Sequence, residues 1–154
     1  MNYWLLKTEP ATFSVADLAR APRRTTAWDG VRNYQARNYL RDNMQTGDEA
    51  FIYHSSCEVP GIAGIAHIAR AGYPDDTAFD KRHKHYDAGS DRARPRWYMV
   101  DVQLVRQLRR VITLDELRAH AAEQLRGMLI LRAGNRLSVT PVEARHWRFI
   151  MKLE

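Results

Sequence analysis

The 154-residue chain has a formal net charge of +6 and a single cysteine, Cys57. Its length fits one domain, residues 1–154, no apolar run approaches the roughly 20 residues of a membrane-spanning helix, and a lone cysteine excludes an intramolecular disulfide. The N-terminal apolar run is too short for a signal peptide, so we expect a cytoplasmic, monomeric protein without membrane contact. The charge favours nucleic acid or another acidic partner, although so many arginines could also reflect a GC-rich genome.

The first half of the chain alternates strand-like and helix-like segments. The aromatic run NYWLL predicts a buried strand, and FSVADLARA predicts a short helix with Ser14 and Asp17 as a capping box. The following RRTTAW is typical of a polar connector. From Arg32 the spacing predicts a second helix that ends before Gly47. The inward stripe of this helix consists of Ala36, Leu40 and Met44.

The middle of the chain carries the strand signals. EAFIYHS and PGIAGIAHIA predict two strands, and the glycines of the second one suggest a bulge. Ile62 and Ile68 fall on one face of that strand and Ile65 on the other, so both faces are expected to be buried. RWYMVDVQLVRQL alternates most clearly and predicts a further strand. The polar stretch from Tyr73 to Pro95 is long enough to be typical of a functional loop.

Two capping patterns predict helices towards the C-terminus. TLDELRAH has Thr113 and Glu116 in capping-box register, and TPVEARHWRFIMK has Thr140 as cap, Pro141 at the first helical position and Glu143 closing the box. The order of strand, helices, several strands and helices predicts an α+β domain. Its centre is expected to be a curved antiparallel sheet or a small barrel.

No pattern for nucleophilic catalysis or metal binding is strong. Cys57 and His54 are three residues apart, so on a strand they would face opposite sides and could meet only across a turn. His83 and His85 in HKH could bind a metal, but a solvated loop with histidines is the favoured interpretation. No phosphate-binding glycine loop is present. We therefore expect no metal and no cofactor.

Trp28 is the aromatic residue that core packing explains least. It follows the polar connector and precedes a DG turn signal, although filling the core remains the alternative. An indole on a loop beside the Asn33 amide can stack on a flat base while the amide bonds the base edge. Four other aromatic residues lie in apolar runs and are assigned to the core: Trp4, Phe51, Trp97 and Trp147.

The chain as a whole resembles the EVE domain family, from Tyr3 to Ile150. The similar segments, in the family's order, are YWLLKTEP, TTAWDGVRNYQARNYL, GDEAFIYHSS, PGIAGIAHI, YPDDTAFD, HYD, PRWYMVDV and LSVTPVEARHW. One departure is His85, where the family often has a tyrosine. The resemblance implies a PUA-like fold, a small curved antiparallel β-barrel flanked by helices, similar to YTH and ASCH domains.

The same resemblance implies a non-catalytic module that binds nucleic acid and recognises a modified base, above all a modified cytosine in DNA, in an aromatic pocket. Trp28 would be the stacking wall of that pocket. The other residues carried over from the family are Lys7, Thr8, Glu9, Asn33, His54, Ser55 and Tyr86. Phosphate contacts are expected from Arg32, Arg37 and Arg41, although a solvated helix face explains these arginines equally well.

Two other functions stay open at this stage. The first is an enzyme that acts on a modified base or nucleotide and uses Glu9, Asp29 or His54 as general acid or base. Either of the two carboxylates, Glu9 or Asp29, could equally cap a turn. The second is an RNA-binding accessory domain, as in other PUA-like proteins.

Overall fold

The computed structural model describes all residues from Met1 to Glu154. The strands are β1 (Tyr3–Thr8), β2 (Thr25–Ala27), β3 (Glu49–His54), β4 (Gly61–Pro74), β5 (Tyr98–Thr113) and β6 (Val139–Val142). The α-helices are α1 (Val15–Arg20), α2 (Tyr34–Asn38), α3 (Leu114–Arg118) and α4 (Ala144–Met151). A π-helical turn, Tyr39–Asn43, extends α2, and short 3-10 turns lie at Pro22–Arg24, Asp76–Phe79 and Leu129–Leu131. No helix has both the length and the apolar character needed to cross a membrane.

All six strands belong to one sheet with the order β2-β5-β4-β3-β1-β6. The pairs are antiparallel except for β1 and β3, which run parallel and are joined by a long crossover that contains α1, β2 and α2. The two edge strands, β2 and β6, do not pair with each other, so the sheet is not closed. The α+β class is confirmed, and the expected barrel is an open sheet.

The sheet is buried on both faces. Along β1, Trp4 and Leu6 belong to a cluster of 18 buried residues, whereas Leu5 belongs to a cluster of 12 on the opposite face. This alternation is the period of two that a strand imposes on its side chains. Leu18 of α1 lies in the larger cluster and Trp147 of α4 in the smaller one, so helices cover both faces.

A bulge in β4 exchanges the faces of its isoleucines. The register of β4 against β5 shifts between Ile62 and Gly64, which confirms the predicted irregularity. Ile62 and Ile65 consequently lie in the smaller cluster and Ile68 in the larger one. The prediction that Ile62 shares a face with Ile68 is wrong, because one inserted residue turns every later side chain to the other face.

The predicted caps are confirmed in two of three cases. In α1, the Ser14 hydroxyl accepts from Asp17 N at 3.1 Å, and the Asp17 carboxylate accepts from Ser14 N at 2.9 Å. In α3, the Thr113 hydroxyl accepts from Glu116 N at 3.1 Å. The stripe of the second helix is also confirmed, since its three members are buried: Ala36, Leu40 and Met44.

The third cap is wrong, because the segment around Thr140 is a strand. Thr140 and Pro141 lie in β6 opposite Leu5 and Trp4 of β1, and α4 begins only at Ala144. An edge strand tolerates proline, and pairing with β1 buries Thr140 to 1 % exposure. The connector RRTTAW is likewise partly a strand, because it contains β2.

A buried carboxylate next to β3 supplies a test of the fold. Asp48 is 3 % exposed and accepts from Asn2 N at 3.1 Å, Trp4 Nε1 at 3.0 Å and Gln45 N at 3.0 Å. We expect Asp48→Ala to lower the free energy of unfolding by about 2–4 kcal/mol, because each buried donor left unpaired costs about 1–3 kcal/mol. Urea denaturation measures the change.

The matched control is Asp42→Ala, which removes an exposed carboxylate whose only ion pair is with Arg41. We expect this control to change the stability little, because exposed ion pairs contribute little. Equal losses in the two variants would contradict the role of Asp48.

Candidate functional site

A cleft of about 390 Å³ opens where β1 ends, between β2 and the long loop before β5. It is lined by Lys7, Thr8, Thr12, Phe13, Thr26, Ala27, Trp28, Asp29, His83, Lys84 and His85. Hydroxyl, ammonium, imidazole and carboxylate groups therefore surround an aromatic wall. Such a combination of apolar surface and a few hydrogen-bonding groups is typical of sites for small flat ligands.

Trp28 forms the wall and is itself held by the core. Its indole is 8 % exposed, belongs to the larger cluster and meets the Phe13 ring edge-on, with centroids 6.4 Å apart. Its backbone N–H donates to Val100 O at 2.8 Å, which continues the pairing of β2 with β5. Trp28 thus combines the two alternatives that the sequence left open, because it fills the core and also lines the cleft.

A buried carboxylate, that of Asp75, connects the segments that form the remaining walls of the cleft. Asp75 Oδ2 accepts from Gly30 N at 2.8 Å and from Arg32 Nη1 at 3.0 Å. Asp75 Oδ1 accepts from Thr77 N at 2.9 Å. Arg32 Nη2 in turn donates to His85 O at 2.6 Å. Asp75 and Arg32 therefore join the segment after β2 to the loop that carries the histidines.

The protonation of Asp75 reflects these contacts. Burial by itself would raise the pKa of the Asp75 carboxyl, but the hydrogen bonds from Thr77, Gly30 and Arg32 and the Arg32 charge outweigh it and lower the pKa. Asp75 is consequently charged at neutral pH, and its fully buried carboxylate is paired with the partly exposed Arg32.

His85 packs directly against Gly30. The φ of Gly30 is +79°, and a Cβ at this position would overlap the His85 ring, so two constraints require glycine here. Burial lowers the pKa of His85, which favours the neutral ring at pH 7. Its Nδ1 is buried without a hydrogen-bond partner. This nitrogen is the one buried polar side-chain atom of the chain that lacks a partner, and it belongs to a residue that lines the cleft.

His83 is a hydrogen-bond donor towards its surroundings. Its Nδ1 accepts from His85 N at 3.0 Å, so the neutral ring carries its proton on Nε2. Ligand-type atoms of Asp29, His83 and His85 lie within 4.8 Å of one another. A metal needs an unprotonated, free ring nitrogen from each histidine, and His83 offers none while this bond persists. The three residues are therefore better suited to hydrogen bonding than to holding a metal.

Three of the eight predicted pocket residues line this cleft: Lys7, Thr8 and Trp28. Lys7 lies at the end of β1, and burial lowers the pKa of its ammonium group. The Thr8 hydroxyl donates to Phe13 O at 2.7 Å, which fixes the chain between β1 and α1 against the cleft.

The other five predicted residues do not line it. Glu9 is exposed in the turn after β1, Tyr86 is 38 % exposed in the long loop, and the Asn33 side chain caps α2 by accepting from Ala36 N at 3.0 Å. His54 Nε2 accepts from Val15 N at 3.0 Å. Their contacts with a ligand stay predictions.

Ser55 lines a second cleft, which adjoins the first one. Its backbone N–H donates to Thr8 O at 3.0 Å, so the end of β3 stays next to the end of β1. The parallel pairing of these two strands thus brings lining residues of both clefts to the same end of the sheet.

The three predicted phosphate-binding arginines are engaged within the chain. Arg32 bonds Asp75, Arg37 Nη1 donates to Arg96 O at 2.8 Å, and Arg41 pairs with Asp42 at 2.7 Å. Their contact with phosphate stays a prediction, and these bonds compete with it.

Sequence reasoning did not place eight of the eleven lining residues in the cleft. Asp29, His83, Lys84 and His85 all line it, but the sequence associates HKH only with a possible metal site. Their place in the cleft follows from Gly30 and Asp75, which bond across 45 positions of the chain. A long loop with histidines was the available signal, and it did not indicate which segment the loop contacts.

Comparison with known proteins identifies close relatives. The family model of the EVE domain matches residues 2–153. Thymocyte nuclear protein 1 of Homo sapiens is 45% identical over 167 residues, which cover 99% of this chain and 74% of that protein. The structure of the human protein in complex with 5-methylcytosine-containing DNA superposes with a TM-score of 0.93 at 45% identity, covering 99% and 97% of the two chains. A protein structure from Pseudomonas putida superposes with a TM-score of 0.92 at 48% identity, with 98% of both chains covered.

The Asp75–Arg32 pair predicts a pH-dependent stability. We expect Asp75→Asn to lower the free energy of unfolding at pH 7 by about 3 kcal/mol, since removing one partner of a buried ion pair costs about 3–5 kcal/mol. The folded-state pKa of Asp75 is lowered, so its stabilisation is complete above the ordinary value near 3.9 and is lost as the pH falls through the folded value. Urea denaturation from about pH 7 down to about pH 2.5 should show the two proteins converging.

The matched control is Asp76→Asn, which changes the exposed neighbouring carboxylate in the same way. Its stability should follow the wild type at every pH. A difference between wild type and Asp75→Asn that stays constant with pH would exclude the proposed contribution of the charge.

Proposed function

This chain belongs to the EVE domain family, and on that basis we propose that it is a DNA-binding module that recognises a modified cytosine, flipped into the cleft beside Trp28. The observation that carries the proposal is the likeness to human thymocyte nuclear protein 1, whose structure was solved in complex with 5-methylcytosine-containing DNA. The chemistry of the cleft supports it independently.

The dimensions and the wall of the cleft suit a single base. Its volume of about 390 Å³ lies in the range of about 300–1,000 Å³ that is usual for small-molecule sites. Trp28 offers an aromatic surface that core packing holds in place, so little side-chain entropy is lost on binding. A flipped base gives up a few kcal/mol of pairing and stacking, and a new aromatic partner returns about 1–3 kcal/mol.

The polar groups suit the edge of a cytosine. This base presents an amino donor beside two acceptors, the ring nitrogen and the carbonyl oxygen. The exposed Asp29 carboxylate can accept from the amino group, while His83 Nε2–H and the Lys84 ammonium can donate to the acceptors. A base with a different edge leaves one of these groups unpaired, and that cost provides discrimination.

No catalytic step is part of the proposal. Of the three groups considered as acid or base, Glu9 and His54 lie outside the cleft and Asp29 lines it. Incubation with modified nucleosides followed by mass spectrometry tests this point. A product that disappears with Asp29→Asn would replace the binding module with an enzyme. Matched RNA and DNA strands, compared in parallel, test the RNA-binding alternative.

The cleft is tested most cleanly by filling it. Trp28→Ala would remove a large part of the core, at a cost of about 3–5 kcal/mol, so its loss of binding could follow from unfolding. Ala27 lines the same cleft and is exposed. We expect Ala27→Leu to fill the space for the base and to lower the affinity for 5-methylcytosine DNA roughly tenfold or more, equivalent to the loss of one stacked base. Titration of labelled methylated and unmethylated oligonucleotides measures it.

The matched control is Ala69→Leu, which adds the same side chain at an exposed position of β4 outside the cleft. Preference for the methylated strand should persist in this control and disappear in Ala27→Leu. If Ala27→Leu kept the wild-type preference, the base would bind elsewhere.

A further inference from the structure

A second cleft, of about 440 Å³, adjoins the first one and shares one residue with it, Lys7. It lies between the end of β3 and the segment after the 3-10 turn Leu129–Leu131. Its lining includes Ser55, Arg118 and Arg132. Lys7 lines both spaces and therefore lies between them.

This second cleft is positively charged. Three of its lining residues are basic, Lys7, Arg118 and Arg132, and none is acidic. The Lys7 ammonium group has no hydrogen-bond or ion-pair partner in the chain. Arg132 has no ion pair either, and Arg118 meets only Asp115, at 3.7 Å, with both side chains largely exposed. An ion pair that is this long and solvated holds a guanidinium group weakly.

The arginines of the second cleft are free to bind a phosphate, whereas the three arginines predicted from the sequence are not. Arg32, Arg37 and Arg41 hydrogen bond to carboxylate or carbonyl groups of the chain, and a phosphate would have to displace these bonds. Arg118 and Arg132 have no such bond to give up. Free guanidinium groups bind phosphate in a bidentate manner and at a lower cost.

We propose that the second cleft holds backbone phosphates of the DNA strand whose base occupies the first cleft, with Lys7, Arg118 and Arg132 as the phosphate contacts. The inference rests on the proposed function, and it extends the interface beyond the base pocket. The lining of the cleft also includes apolar side chains, those of Leu114, Ile130 and Leu131. Apolar and basic side chains in one cleft suit a sugar–phosphate chain, whose sugars can pack against the apolar groups while its phosphates reach the basic ones.

The test compares two double variants with the same loss of charge. Arg118→Ala/Arg132→Ala removes the proposed contacts, and Arg37→Ala/Arg41→Ala removes two of the arginines that the sequence favours. Dissociation constants for methylated and unmethylated duplexes of one sequence are measured over a range of KCl concentrations, after thermal melting has shown that both variants are folded.

We expect Arg118→Ala/Arg132→Ala to weaken binding of both duplexes by the same factor, roughly tenfold or more at low salt, and to reduce the slope of log K against log salt by about 1.8. The ratio between the two duplexes should stay that of the wild type, because phosphate contacts carry no sequence information. Arg37→Ala/Arg41→Ala should keep the wild-type slope.

An unchanged slope in Arg118→Ala/Arg132→Ala would overturn the inference, and the cleft would then be open to another acidic partner. Loss of the methylated duplex alone would also overturn it, since the arginines would then act on the base. A failure of the proposed function would give a different experimental result. In that case the wild type shows no preference for methylation, while the salt slopes of the two variants still show which arginines contact phosphate.

Discussion

The pairing of Asp75 with Arg32 is the interaction on which the cleft depends. Asp75 is fully buried, and its two oxygens accept from Gly30, Arg32 and Thr77. Because Arg32 also bonds His85 O, one carboxylate fixes a loop that has no strand or α-helix of its own. Binding groups on a loop fixed in this way lose less entropy when a ligand arrives. The buried Asp75 carboxylate thus determines the shape of a surface cleft.

Local patterns in the sequence predict the parts of the fold that involve few neighbouring residues. The capping box of Ser14 and Asp17 lies within four positions, and the structure contains it. Thr140 and Glu143 have the same spacing, yet the segment pairs with β1 and becomes an edge strand. The glycines of β4 predict a bulge, but its exact position, and with it the face of Ile62, likewise depends on pairing with two neighbours. Where tertiary pairing competes with a local pattern, the pairing prevails, and single-sequence reasoning cannot foresee it.

The candidate site was likewise only partly predictable from the sequence. Resemblance to the EVE family predicts Lys7, Thr8 and Trp28 as pocket residues, and these three line the cleft. The loop from His83 to His85 completes the cleft through the hydrogen bond between Arg32 and His85 O. These two residues are 53 positions apart, so no local pattern indicated the contact. His85 belongs to this loop and lies directly on Gly30. Residues in the wall of a binding cleft are where members of one family can differ in the ligand that they prefer.

Net charge is a poor guide to the charge that a ligand meets. The arginines that form a regular stripe on the second helix are paired internally, whereas Lys7, Arg118 and Arg132 surround a cleft without an acidic residue. In the proposed arrangement, discrimination among bases lies in the first cleft and salt-dependent affinity in the second. Substitutions in separate clefts should then have additive effects on the binding free energy. Lys7 lines both clefts, so a substitution of Lys7 should change both the discrimination among bases and the salt-dependent affinity.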